Sequence, residues 1–179
     1  METGLTAVKQ TGAAIGQPRY LTVLAEACAA AGQTDKALSL LSQAEQRMTI
    51  TGEYFYAAEL HRLRGEIMLR QSHVLQGPTP NLQSSTLKAN NIPQSVISNP
   101  QLEAEARFQK AIEIARQQRA RSFELRAVMS LCRLRQLQGR GESARQSLRK
   151  IYDWFQEGFD TPDLRAAREL LAELNQQAA

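Results

Sequence analysis

The chain has 179 residues, 22 Lys plus Arg against 18 Asp plus Glu, and 42% apolar residues, a size suited to one domain or one compact array. Ten glycines, six prolines and two cysteines exclude a collagenous chain, a wholly disordered chain and a disulfide scaffold. No run approaches the roughly 18 apolar residues of a transmembrane helix. The start, from Met1 to Gln17, has no basic stretch leading into an apolar one and does not read as a secretory signal.

Residues 1–16 read as the second helix of a preceding repeat, followed by a Thr11-Gly12 junction. With no polar capping helix ahead of them, a stacked array would expose an apolar end there. The repeat domain itself is expected over 17–179. From Tyr20 to Ala31, Tyr20, Leu24, Ala27 and Cys28 fall on one helical face. Gly32 ends that helix, because glycine takes positive φ at little cost. Thr34 is placed to cap a second helix through Ala37, Leu38, Leu41 and Ala44.

A second unit pairs Tyr54–Arg70 with Leu102–Gln117. Between them, residues 73–100 hold four of the six prolines, one charged residue (Lys88) and no aromatic residue. That is the composition of a mobile loop insertion. Leu82, Leu87, Ile92, Val96 and Ile97 would be its contacts as a binding loop; a tolerated insertion at a surface turn is the simpler reading. A third unit pairs Ser122–Gln138 with Glu142–Phe155. A terminal helix is expected over 161–177, with Thr161 as N-cap, Pro162 in the first turn and Asp163 at the positive dipole end. Its stripe is Leu164, Ala167, Leu170, Leu171 and Leu174. No apolar/polar alternation of the strand type persists.

The units repeat. Ala37, Leu41 and Ala44 recur as Ala104, Phe108 and Ala111 after 67 residues, and as Ala144, Leu148 and Ile151 after a further 40. The period is therefore 40, with 27 extra residues in the middle unit. Antiparallel helices approach closely only where one presents a small residue, and a large apolar residue one turn later fills the neighbouring groove. A helix pair cannot bury both faces alone, so such units stack into a solenoid. The expected fold is all-α: about three helix pairs and a terminal capping helix.

Chemistry-bearing patterns are sparse. Cys28 and Cys132 lie in no zinc or redox spacing, and a reducing cytoplasm suits them. Gly139-Arg140-Gly141-Glu142-Ser143-Ala144 has the letters of a dinucleotide loop, but a helix precedes it, so it reads as a helix–helix corner. His61 and His73 have no catalytic partners at a useful spacing. Tyr152, Trp154, Phe155 and Phe159 are expected to seat the last helix. Charge is uneven: residues 1–100 carry net +1, 101–150 net +7 and 151–179 net −4. Arg119, Arg126 and Arg133 recur every seven residues as one basic face, without interleaved aromatics. Neutralisation within the chain is the simpler reading of that face; nucleic-acid binding through 101–150 is the alternative.

These spacings resemble the tetratricopeptide repeat, whose helix pair has a large and a small residue in the first helix, a Gly near its end, then small–large–small in the second. Leu24-Ala25, Gly32, Ala37, Leu41 and Ala44 follow it, as do Leu131-Cys132, Gly139, Ala144, Leu148 and Ile151. The middle unit keeps Gly65, Ala104, Phe108 and Ala111 but has Arg64 where Leu is usual; the early Trp is missing and the period is longer. The resemblance implies a right-handed α–α superhelix whose first helices line a concave groove. At the groove positions stand Arg19, Thr22 and Glu26; Glu59, Arg62, Glu66 and Arg70; and Arg126, Met129, Arg133 and Gln136. Both charge signs on one surface suit a polar, extended partner, or pairing among themselves across adjacent helices.

A second resemblance covers most of the chain. Ala58-Glu59-Leu60-His61-Arg62-Leu63-Arg64-Gly65-Glu66, Ala104-Glu105-Ala106-Arg107-Phe108, Arg121-Ser122-Phe123-Glu124-Leu125-Arg126-Ala127 and Gly158-Phe159-Asp160-Thr161-Pro162-Asp163-Leu164 carry it. They are similar to the C-terminal repeat region of large bacterial signalling proteins. In those proteins a nucleotide cyclase, a kinase or a DNA-binding domain precedes a regulatory ATPase. The resemblance implies a non-catalytic scaffold in the cytoplasm that needs no cofactor or metal. Its partner would be a protein, a peptide or the upstream domains of the same parent, rather than nucleic acid or a membrane. No phosphate-binding loop of the G-x-x-x-x-G-K-[ST] type is present.

Overall fold

The computed structural model describes residues 16–75 and 99–176, with the side chains of 72–75 left out. The described residues form seven helices and no strand: α1 (Gln17–Ala30), α2 (Thr34–Thr51), α3 (Ala57–Leu75), α4 (Pro100–Gln117), α5 (Arg121–Leu137), α6 (Gly141–Tyr152) and α7 (Pro162–Gln176). The expectation for residues 1–15 lies outside them. So does most of the expected loop insertion; α3, however, runs on to Leu75, past the loop start expected at His73.

Each helix packs on the next in sequence. In addition α1 packs on α3, α3 on α5 and α5 on α7, while no comparable contact joins α2 to α4 or α4 to α6 among the described residues. The odd-numbered helices therefore form one continuous row, with the even-numbered ones behind it.

The repeated triads are what make this packing close. Ala37, Leu41, Ala44, Ala104, Phe108, Ala111, Ala144 and Leu148 are all completely buried. Each buried Leu or Phe removes enough apolar surface from water to contribute roughly 1.5–3 kcal/mol. The alanines set the interhelical distance. Cys132 on α5 donates to the Ala144 carbonyl of α6 at 3.1 Å, a contact that a larger residue at 144 would not permit. Two buried clusters result, one over α1–α3 and one over α4–α7.

Corners repeat as well. After α1, Gly32 takes φ 76° and the Gln33 N–H donates back to the Cys28 carbonyl at 2.9 Å. After α5, Gly139 takes φ 71° and Arg140 N–H donates to Arg135 O at 2.8 Å. The glycine-bearing segment from 139 to 144 is thus the helix corner that its context implied. The same closure after α4 uses Arg119 at φ 55°, with Ala120 N–H on Ala115 O at 2.8 Å.

Several local expectations are corrected. Tyr20 is 48% exposed and Ala27 is exposed; the buried face of α1 is Leu21, Leu24, Ala25 and Cys28. This helix packs on both α2 and α3, which rotates its buried sector. Thr34 and Thr161 do not cap through their side-chain oxygens: each hydroxyl donates, to Gly32 O at 3.4 Å and to Gly158 O at 2.7 Å. A side-chain cap stands instead at Asn99, whose Oδ1 accepts from Gln101 N at 3.0 Å ahead of Pro100. Tyr54 precedes α3 rather than opening it, and Phe155 lies beyond α6. Tyr152 and Phe155 pack against the core, but Trp154 and Phe159 are exposed.

The α3–α4 pair spans the insertion, and Gly65 sets its spacing. A Cβ at this position would stand 2.6 Å from Phe108 Cε1 and 3.0 Å from Cδ1, against a ring with no exposed surface. Gly65→Ala is expected to destabilise the fold by about 1–3 kcal/mol despite its better helix propensity. Urea denaturation checks this; an unchanged or higher midpoint would contradict the close approach.

Candidate functional site

The row α1, α3, α5 and α7 brings five of the expected groove residues, Glu26, Glu59, Arg62, Glu66 and Arg126, into one network. Its centre is Arg62 on α3, only 5% exposed. Arg62 donates through Nε to Glu59 Oε1 at 2.9 Å, through Nη1 to Glu66 Oε1 at 2.6 Å and through Nη2 to Glu26 Oε1 of α1 at 3.2 Å. Arg126 of α5 reaches the same Glu26 oxygen at 2.9 Å and Glu59 Oε1 at 3.0 Å, and its Nε lies 4.0 Å from Asp163 Oδ1 of α7. Ser130 of α5 donates to Glu66 at 2.8 Å. Four helices thus meet in one polar network.

The electrostatics follow from burial. Removing a guanidinium from water disfavours its charge, but the hydrogen bond and charge of Glu59, then the charges of Glu66 and Glu26, outweigh this and raise the Arg62 pKa above its ordinary value. Glu59 is 3% exposed, and its Oε2 has no hydrogen-bond partner. A buried pair of this kind costs several kcal/mol when one member is removed, because the other is left charged without compensation. Glu26, Glu59, Glu66 and Asp163 face Arg62 and Arg126, so the centre of the row carries two more carboxylates than guanidiniums.

The remaining groove candidates are less uniform. Arg19 is exposed, with its guanidinium 5.8 Å from the Tyr56 ring centre. Arg70 is exposed and donates to the Ala29 carbonyl at 3.1 Å. Arg133 is exposed and Gln136 half-buried. Met129 and Thr22 are not groove-facing: Met129 belongs to the buried core, and Thr22 is buried with its hydroxyl on Pro18 O at 2.8 Å.

The basic segment does not form the single face that its seven-residue spacing suggested. Arg119 lies in the α4–α5 corner, Arg126 is in the network, and only Arg133 projects freely from α5. Much of the excess charge is neutralised internally, two arginines to a carboxylate. Glu105 takes Arg135 and Arg140; Glu124 takes Arg116 and Arg121. Arg64, which replaces the usual leucine, pairs with Glu45 of α2 at 2.8 Å.

The fold also assembles an edge not apparent in the linear sequence. The rings of Phe55, Tyr56 and Phe123 meet edge to face at 5.3–5.6 Å, and Arg121 lies 5.2 Å from the Trp154 ring centre. The cation–ring contacts are Arg121 on Trp154 and Arg19 on Tyr56, neither of them an arginine of the expected basic face. The signal for the ring cluster was present: Tyr56 and Phe123 stand 67 residues apart, the same offset as Ala37 and Ala104.

Among the described residues no group of His, Cys, Asp and Glu could hold a metal ion, and no helix is long and apolar enough to cross a membrane. His61 is half-buried on α3; burial, then the charge of Arg107, lowers its pKa below 6.5, with Glu45 opposing. Its Nδ1 has no hydrogen-bond partner. Cys28 and Cys132 are free and buried, and burial pushes the Cys132 thiol up to about 11, which keeps it protonated and unreactive. No protein-family model, curated protein sequence or solved structure matches this chain.

Proposed function

We propose that the chain is a docking module of the tetratricopeptide type: a right-handed solenoid of about three helix pairs with a terminal helix, acting without catalysis of its own. The observation that carries this reading is the row α1–α3–α5–α7 with its acidic excess at the centre. Glu26 and Asp163, 42% and 47% exposed, sit beside an arginine pair that is already satisfied. They are therefore available to an incoming cation. Arg19, Arg70 and Arg133 are the exposed cations that flank this centre.

The partner is an extended segment with basic side chains at its middle, supplied by another protein or by the upstream part of the same parent. The Arg62 network holds the odd-numbered helices at fixed spacing, so the face is preorganised and little ordering is needed on docking. The similarity to the C-terminal region of signalling ATPases extends this reading. Docking there would favour one state of the upstream ATPase by differential affinity. A second reading, single-stranded nucleic acid, is favoured by the half-exposed Trp154 ring with Arg121 beside it. It would show as affinity falling steeply with salt.

Two experiments test the docking reading. Fluorescence polarisation with an extended Lys/Arg-rich peptide is expected to show saturable binding that Glu26→Gln with Asp163→Asn weakens about a hundredfold, each lost charged contact contributing roughly 1.5 kcal/mol. Equal binding to the double variant would sink the acidic groove. An antibody to this chain, used on a lysate of the source cells, is expected to detect a product several times larger than 20.0 kDa. A product near that mass would overturn the multidomain parent.

A further inference from the structure

Away from the acidic row lies a cleft of opposite character. It opens where the C-terminal end of α4, the N-terminal end of α5 and the C-terminal end of α6 converge, has a volume of about 590 Å³, and is lined by Arg116, Arg121, Glu124, Ser147, Lys150 and Trp154, among others. Glu124 and Arg126 are two residues apart on α5, about 200° around the helix, so the cleft and the network lie on opposite sides of it. The cleft is thus separate from the docking face.

Its chemistry is preorganised for an anion. Glu124, 3% exposed, accepts from Arg116 Nε at 2.7 Å and from Arg121 Nη1 at 2.6 Å. Each guanidinium spends one N–H on Glu124 and keeps the others for a ligand. Arg121 is held further by the Trp154 ring. Lys150 forms no ion pair among the described residues within 4.0 Å and adds a third cation. Three cations and one carboxylate leave a net charge of +2. The α5 N-terminus opens here at Arg121 with no side-chain cap, so its first N–H groups and dipole add to the positive potential.

The cleft adjoins an apolar shelf. A neighbouring cavity of about 420 Å³ shares Arg116 and Ser147 with it and is walled by Ile112, Val128 and Leu131, with Gln109, Gln117 and Glu113, the last paired with Lys110, completing its lining. A ligand with a doubly charged head and a compact carbon body fits both parts. We propose that this cleft binds a small dianionic molecule, a phosphate monoester or a dicarboxylate, its charged head between Arg116, Arg121 and Lys150 near Trp154 and its body toward the shelf past Arg116 and Ser147.

The chain's single tryptophan lies in the cleft and is 54% exposed, so its emission reports occupancy. The intact chain would be titrated with phenyl phosphate and with succinate, by calorimetry for affinity and by tryptophan emission for location. At least one probe is expected to bind saturably with a change in Trp154 emission. Preference for phenyl phosphate would assign the phosphate class, and equal binding would assign dianions in general. Lys150→Gln, at an exposed position, is expected to raise the dissociation constant about tenfold, with Arg116→Gln as the second variant. Arg47→Gln, exposed on α2 and outside both cavities, should leave it unchanged. No saturable binding by either probe would overturn the proposal. So would binding that leaves Trp154 emission and the Lys150→Gln affinity unaltered.

Discussion

The side chain on which the arrangement turns is a guanidinium buried among carboxylates. Arg62 cannot lose its proton and has little water, so Glu26, Glu59 and Glu66 must stay where their oxygens meet its N–H groups. Apolar packing alone would tolerate sliding of α1 and α5 against α3 by part of a turn. A buried charge with directional partners does not, because any slide leaves one charge unpaired. Arg126 repeats the constraint one helix further on, sharing Glu26 and Glu59 and approaching Asp163. The spacing of the odd-numbered row therefore follows from electrostatics, and the spacing of even against odd helices follows from the small–large–small triads.

This division gives the molecule two unlike surfaces. The face of the odd-numbered row is polar, fixed and acidic at its centre. The opposite side, where α4, α5 and α6 converge, gathers Arg116, Arg121 and Lys150 around one buried carboxylate. The basic bias of residues 101–150 is therefore neither a continuous stripe nor fully cancelled. It is distributed over Glu105 and Glu124, with a residue of positive charge concentrated at one cleft. Acidic and basic clusters therefore lie on the two sides of α5.

The fold was legible in the sequence where packing imposes periodicity. The triads at 37, 104 and 144 are buried because only that alternation lets helices approach, and the corner glycines at 32 and 139 take the positive φ their positions require. What was not legible depends on which neighbours a helix meets. Tyr20 and Ala27 share a face with Leu24, yet α1 turns that face partly outward because α3 as well as α2 packs on it. Arg119 matches Arg126 and Arg133 in spacing, but α4 ends at Gln117 and the repeat breaks at the corner. Of the expected groove residues, Glu26, Glu59, Arg62, Glu66 and Arg126 meet in one network. The burial of Arg62 and Glu59 was not visible, since a charged residue at a groove register reads as exposed until its partners, Glu26 for Arg62 and Arg126 for Glu59, are known to converge from distant positions in the chain. The cleft escaped notice for the same reason: Arg116, Arg121 and Lys150 come from three helices and share no spacing rule.

The central claim is that the Arg62 charge, compensated by Glu59, holds the row together. Denaturant unfolding of Arg62→Met and of the double variant Glu59→Leu with Arg62→Met tests it directly. The account predicts a loss of about 3 kcal/mol for Arg62→Met, which leaves the buried Glu59 carboxylate only its 3.0 Å contact to Arg126, and recovery of most of it in the double variant, where neither Glu59 nor Arg62 carries charge. A single variant as stable as the original chain, or a double variant no better than the single, would contradict it.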